Sequence, residues 1–239
     1  MRVALASHIR STGGPSPDHH TWPKGHVIDF FRLEFVMKPY PSISTKIRPD
    51  VPVYVFDKLD GSQIRAEWTP KSGFCNFGSR KRALESSHPW LGEAIALVRD
   101  KYEADVHRVL AAHKVRSAVL FLEFVGARSF AGRHVDEPHD VVLLDVAIFG
   151  RGLVPPNEFL AMFGHLHAAK VLHHGHVDRE FVATVRAGTL PGLTAEGVVC
   201  KSTTLERRVP VMFKIKTQAW LDRLRDLCAG DDSLFAELA

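Results

Sequence analysis

Apolar positions along the chain fall into short blocks that follow two periods. Val53–Phe56 is an apolar, β-branched run that suits a buried strand, and Ile64–Trp68 suits a second strand after a turn at Gly61. Between His88 and Lys114, Leu91, Ile95, Val98, Tyr102, Val106 and Val109 recur at three- and four-residue steps. That spacing predicts a helix with one apolar stripe, and Pro89 sits where a first helical turn tolerates it. Ala118–Val125 and Val141–Phe149 read as two further strands, Pro156–Leu166 and Arg179–Arg186 as short helices. Val198–Lys201 and Val209–Lys216 read as strands, and Gln218–Leu227 as a closing helix. Strands and helices alternate without a regular βαβ rhythm. The expected class is therefore α+β, with mostly antiparallel sheets flanked by helices.

The start of the chain differs. STGGPSPDHHTWPKGH has no periodicity and reads as loop. Met37 opens MKPYPSISTKI, which reads as a natural start, so residues 1–36 are expected to be an N-terminal extension, without fixed structure or non-native. The competing reading makes Val27–Val36 an extra strand. The 239 residues are 45% hydrophobic and 24% charged, ordinary globular usage. No run of 18 apolar residues occurs, so no membrane span or membrane partner is expected. Thirty-one Lys and Arg against 27 Asp and Glu permit a polyanionic partner without demanding one. Cys75, Cys200 and Cys228 form no CxxC pair, which fits a reducing, cytoplasmic setting.

Several polar residues interrupt the apolar runs. Asp57-Lys58-Leu59-Asp60-Gly61-Ser62 puts a lysine at a strand end, where burial or nearby cations would lower its pKa and free the amine as a nucleophile. Asp60 is expected on the same face as Lys58, and Gly61 permits a tight turn and a close approach to a ligand. Glu123 lies inside the run Leu120–Gly126, and Asp145 inside Val142–Phe149; each needs a partner. Glu196-Gly197-Val198-Val199-Cys200-Lys201 could hold a metal ion and a phosphate. In Met212-Phe213-Lys214-Ile215-Lys216 the two lysines share a face and call for an anion between them, or else mark a solvated edge. His165, His167, His173, His174 and His176 crowd together, yet with no Cys nearby and no HExxH spacing they read as a wet, polar connector.

The order of these motifs resembles that of the covalent nucleotidyltransferases, the polynucleotide ligases and mRNA capping enzymes. Within them the chain resembles the ATP-dependent RNA ligases of the RNA ligase 2-like group. KLDGS followed by Ile64-Arg65-Ala66-Glu67-Trp68, the segment Phe77-Gly78-Ser79-Arg80 and the leader PYPSI at 39–43 carry the likeness, over about residues 39–217. The resemblance implies a nucleotidyltransferase (ATP-grasp-like) domain over 37–217; the chain after it reads as a C-terminal helix and tail over 218–239, and its length leads us to expect no C-terminal OB domain. The resemblance also implies ATP and Mg²⁺ as cofactors, with Mn²⁺ as a further candidate. The partners would be RNA ends or a nicked duplex carrying 5′-phosphate and 3′-hydroxyl, and a monomer is favoured. Lys58 would attack the α-phosphate of ATP, AMP would pass to the RNA 5′-phosphate, and the 3′-hydroxyl would displace it. Glu123 would hold the ribose and Arg80 phosphate or ribose. Glu196 would position the metal, and Lys201, Lys214 and Lys216 the phosphates. Asp60 would assist near the lysine and the RNA end, and Arg65 the phosphate face.

Leu144 stands where many relatives have an aromatic for adenine stacking, and Asp57 where a Glu often precedes the lysine. Only 23 residues follow Lys216, fewer than the nucleic-acid-gripping domain of most ligases needs. The alternatives are a DNA ligase, a capping-type guanylyltransferase, or an inactive nucleotide- or RNA-binding module. One expectation is directly testable. A chain begun at Met37 should melt at the same temperature as the full chain, whereas a large drop would show Val27–Val36 to be a strand of the sheet.

Overall fold

The computed structural model describes residues 39–80, 82–127, 136–206 and 209–239. The expected N-terminal extension, with Val27–Val36, lies outside the described residues. Nine strands and five helices follow in chain order among the described residues: β1 (Val53–Lys58), β2 (Ser62–Thr69), β3 (Gly73–Ser79), α1 (Glu93–Ala112), β4 (Ala118–Val125), β5 (Asp140–Ile148), β6 (Gly152–Leu153), α2 (Pro156–Phe163), β7 (Val171–Gly175), α3 (Arg179–Arg186), β8 (Gly197–Glu206), β9 (Val209–Lys216), α4 (Gln218–Leu227) and α5 (Asp232–Leu238). They build two sheets, ordered β7-β1-β8-β9 and β3-β2-β4-β5-β6, and every strand pair in them is antiparallel. The α+β expectation holds.

The apolar runs explain the layering. Alternate residues of β2 and β4 (Ile64, Ala66 and Trp68; Leu120, Leu122 and Phe124) join Ala94, Val98, Tyr102, Val106 and Leu110 of α1 in the largest core. The opposite face of β4 carries Val119, Phe121 and Glu123, and the first two pack with Met212 of β9 and Tyr40 of the leader. The two sheets thus meet across that second face. Because both faces of β4 are covered, it reads as an unbroken apolar run except at Glu123.

Several expected boundaries shift. The helix predicted from His88 begins only at Glu93, because the His88 ring Nδ1 accepts from the backbone N–H groups of Trp90 and Leu91 and holds a turn ahead of it. α2 ends at Phe163, before Gly164. β3 and β7 carry no clean alternation and were not legible. β7 corrects the expected polar connector, since its His173 and His174 pair with Val55 and Tyr54 of β1 as an edge strand, and the His174 ring stacks on Tyr54 at 4.0 Å.

Tyr102 ties α1 to the sheet. Its buried hydroxyl lies 2.8 Å from the Val141 carbonyl and 2.6 Å from that of His167. Tyr102→Phe should cost about 1–2 kcal/mol in urea unfolding, since buried carbonyls lose their donor. An unchanged unfolding midpoint would show that the hydroxyl does not tie these elements.

Candidate active site

The site is built where strand ends of the first sheet coincide. Lys58 pairs with Gly197, and Gly197 with Lys216, so β1, β8 and β9 come level on one rung. Glu196 immediately precedes it. Its backbone is pinned by Thr217, whose N–H donates to the Glu196 carbonyl at 3.0 Å and whose hydroxyl donates to that of Ala195 at 2.9 Å. Gly197 has φ +144°, and a Cβ there would overlap the Ile215 carbonyl, so only glycine permits this junction. The Glu196 carboxylate is thereby set between two ammonium groups, 2.8 Å from Lys58 Nζ and 3.1 Å from Lys216 Nζ. Lys214, two residues earlier on the same face, lies alongside.

The opposite wall comes from the second sheet. Glu123 of β4 lies opposite Gln63 and is buried. Gly61 lets the loop after Lys58 press against β4, because a Cβ there would strike the Phe124 carbonyl and come within 2.9 Å of Glu123 Cγ. The close approach anticipated at Gly61 is therefore to β4. β1 ends at Lys58, so Asp60 lies beyond the strand, buried and near enough to Lys58 and Glu123 to influence both. Burial drives the Glu123 carboxyl up to about 8; Lys58 opposes this, while Glu196 and Asp60 add to it. The expected depression of the Lys58 pKa is not found. Burial does push the amine down, but Glu196, Glu123 and Asp60 together raise it above its ordinary value. The carboxylates around it outweigh the cost of burial. Lys216 behaves oppositely: burial lowers it to about 8, with Lys214 and Lys58 adding their repulsion against Glu196. Lys214 is lowered for similar reasons, burial foremost.

The far end is closed by a β-bulge. Phe121 pairs with Asp145 and Leu122 with Leu143, leaving Leu144 as the extra residue. Leu144 lines the cavity, and its carbonyl accepts from Lys201 Nζ at 2.9 Å. That ammonium also pairs with Asp145 at 2.7 Å and lies 4.4 Å from the Phe56 ring centroid. Lys201 was expected to hold phosphate; its ammonium is instead committed to a buried ion pair under the bulge, because Asp145 also needs a partner. Tyr40 completes this corner by donating its hydroxyl to Asp145. Burial, then Asp145, raises its pKa well above the ordinary value. The sequence pattern flagged Asp145 as needing a partner but did not reveal Tyr40, whose role depends on the leader crossing β5.

Between these walls lies a cavity of about 540 Å³, lined among others by Lys58, Glu123, Glu196, Val199, Lys214 and Lys216. That size suits a nucleotide-sized ligand. Arg80 and Arg82 reach its rim. Arg65 is not among the lining residues; its Nε donates to the Ser79 carbonyl at 2.7 Å, so it braces the strand that delivers Arg80. Among the described residues no three His, Cys, Asp or Glu side chains converge as a complete metal cage. The site does fit a cation held by the Glu196 carboxylate together with ligand phosphates and water, since Glu123, Glu196 and Asp60 already repel one another's charge. Among the described residues no helix is long and apolar enough to cross a membrane.

A strand-end lysine facing a carboxylate, further lysines and a nucleotide-sized cavity between two antiparallel sheets is the arrangement of a covalent nucleotidyltransferase fold. The RNA ligase family model matches residues 51–216, and the chain belongs to the RNA ligase family. Solved structures of a Naegleria gruberi RNA ligase share the fold. A mutant in its apo form is 14% identical with a TM-score of 0.58, covering 78% of this chain and 59% of that one. A mutant with AMP and Mn is 15% identical, TM-score 0.57, covering 77% and 58%. The enzyme with PPi is 17% identical, TM-score 0.56, covering 74% and 52%. The chain thus spans a little over half the length of these solved relatives. No curated protein matches it.

The raised Glu123 pKa makes a prediction about stability. Its folded pKa of about 8 lies above the ordinary 4.5, so the folded form is increasingly penalised as pH climbs from 4.5 to 8, and fully above that. Glu123→Gln carries no such penalty. Its stability relative to the parent should therefore improve by about 2–4 kcal/mol between pH 5 and pH 9. A difference that does not change with pH would show that Glu123 is ionised throughout.

Proposed function

We propose that the chain is an ATP-dependent RNA ligase that joins a 3′-hydroxyl to a 5′-phosphate through a lysyl-AMP intermediate. The observation that carries this reading is the position of Lys58 Nζ in the cavity, 2.8 Å from Glu196 and next to Lys214 and Lys216. Family membership and the ATP-, AMP- and PPi-bound Naegleria gruberi structures support it.

Lys58 Nζ, once deprotonated, attacks the α-phosphorus of ATP; an N–P bond forms, the P–O bond to the β-phosphate breaks, and pyrophosphate leaves. The RNA 5′-phosphate oxygen then attacks the same phosphorus and releases Lys58, giving an RNA-adenylate. The 3′-hydroxyl finally displaces AMP. Phosphoryl transfer is catalysed mainly by positioning and by cations placed where charge develops. Lys214, Lys216 and Arg80 serve the departing phosphates, Glu123 the ribose, and Leu144 with Val199 the adenine faces. Asp60 assists near Lys58 and the RNA end. Lys201 acts at one remove, by holding Leu144 through its carbonyl. A divalent cation, Mg²⁺ or Mn²⁺, would be held by Glu196 and would neutralise phosphate charge. Withdrawing Glu196 from Lys58 lowers the amine's pKa and so makes the nucleophile available. Three free cysteines suit a reducing, cytoplasmic setting, and an enzyme that joins RNA ends would act in RNA repair.

Incubation with α-labelled ATP and Mg²⁺ or Mn²⁺ should label the protein, and Lys58→Ala should not label. Lys214→Ala and Lys216→Ala should each slow labelling by about 30- to 1000-fold, the effect of removing roughly 2–4 kcal/mol of charge-assisted phosphate contact. Label persisting in Lys58→Ala would remove the nucleophile. Better labelling with GTP would favour a capping enzyme, and sealing of nicked DNA over nicked RNA a DNA ligase.

A further inference from the structure

The two lysines proposed to hold phosphate already have occupants. Lys216 Nζ donates to the main-chain oxygen of Leu238 at 2.9 Å, and Lys214 Nζ to that of Ala239 at 2.8 Å. Both acceptors belong to the last turn of α5 and the residue after it. As main-chain oxygens they accept from the two ammonium groups as phosphate oxygens would. Leu238 also lines the cavity. The end of α5 therefore places main-chain oxygens where a polyphosphate would place its own.

The element is suited to leaving. α5 has seven residues, too few to be stable alone in water. It is started by Asp231, whose carboxylate accepts from the Leu234 N–H at 2.9 Å. It is held on α4 by Leu234, Phe235 and Leu238, which are only partly buried against Trp220, Leu224 and Cys228, and by Arg225 over the Phe235 ring at 4.7 Å. Lys216 keeps its other partners when α5 departs, Glu196 at 3.1 Å and the Trp220 ring at 3.8 Å. Lys216 thus stays in place while its main-chain acceptor, the Leu238 carbonyl, is exchanged for a phosphate oxygen, which makes a stronger, charge-assisted hydrogen bond.

We propose that α5 is an autoinhibitory plug: in the nucleotide-free chain its last turn occupies Lys214 and Lys216, and binding of a polyphosphate displaces it. This rests on reading those lysines as the phosphate site. The plug sets a threshold for loading, because nucleotide must compete with a segment of the chain itself, and the apparent affinity is reduced by the fraction of molecules that are open.

Hydrogen exchange of the full chain, read by mass spectrometry with and without saturating inorganic pyrophosphate and Mn²⁺, tests this. The amides of Phe235 and Ala239, which donate to the carbonyls of Asp231 and Phe235, should exchange at least tenfold faster with pyrophosphate bound. Calorimetry on the same sample reports binding separately. Pyrophosphate bound with α5 equally or better protected overturns the plug and leaves the phosphate site standing. Pyrophosphate that fails to bind, or binds unaffected by Lys214→Ala and Lys216→Ala, overturns both. Phe235→Glu, which loosens α5 from α4, should tighten pyrophosphate binding by about tenfold, the factor for an open fraction near one tenth. Weaker binding by that variant would make α5 a support for the lysines and end the proposal.

Discussion

The carboxylate of Glu196, shared between Lys58 and Lys216, is the interaction on which the site depends. Three lysines and three carboxylates are brought into one partly dry space, and none of them is cheap to bury alone. Glu196 can satisfy two ammonium groups at once because β1, β8 and β9 end on the same rung and Gly197 lets the chain turn there. The same contact keeps Lys58 charged, hence inert as a nucleophile. The arrangement therefore favours the charged form of Lys58, and any group that draws Glu196 away shifts that balance.

The second sheet supplies the counterweight. Glu123 faces this cluster from β4, and burial leaves it holding its proton far above the usual carboxylate range. Its position follows from strand alternation, since Val119 and Phe121 on the same face pack against Met212 and Tyr40. A strand covered on both faces can carry one carboxyl only where a polar cavity begins. At the other end the bulge at Leu144 does related work. It turns an otherwise apolar strand so that one side chain enters the cavity, while Lys201, Asp145 and Tyr40 absorb the polar groups the bulge leaves behind. That end of the cavity is thus bounded by the aliphatic Leu144 on a wall braced by a buried ion pair.

Much of this was legible in the chain. Strands of strong apolar character were found, because a residue run buried on both faces leaves a dense signal. The edge strand β7 was not, since it is half-exposed and histidine-rich. β3 was missed for a similar reason, with Cys75 and Asn76 facing solvent. Lys58, Glu123, Glu196, Lys214 and Lys216 were singled out because each breaks an apolar context at a strand end or inside a strand, and they converge on one cavity. Arg65 and Lys201 look equivalent in sequence, yet one braces a backbone turn and the other a bulge. Charge in an apolar run announces that a partner exists and leaves its identity open.

The sequence by itself determined the α+β class, the order of the buried strands and the residues that must find polar partners, because periodicity and the cost of burying charge are local properties. Only the tertiary structure decided which partner each one finds. Lys201 meets Asp145 because β8 packs over the β5 bulge, Lys58 has a raised pKa because the two sheets bring Glu196 and Glu123 to join Asp60 beside it, and the end of α5 covers two lysines through main-chain oxygens. Those main-chain oxygens leave no trace in side-chain identity, and the pairings of Lys201 with Asp145, of Tyr40 with Asp145 and of Lys58 with Glu196 span from 56 residues to well over a hundred, across which no local pattern carries information.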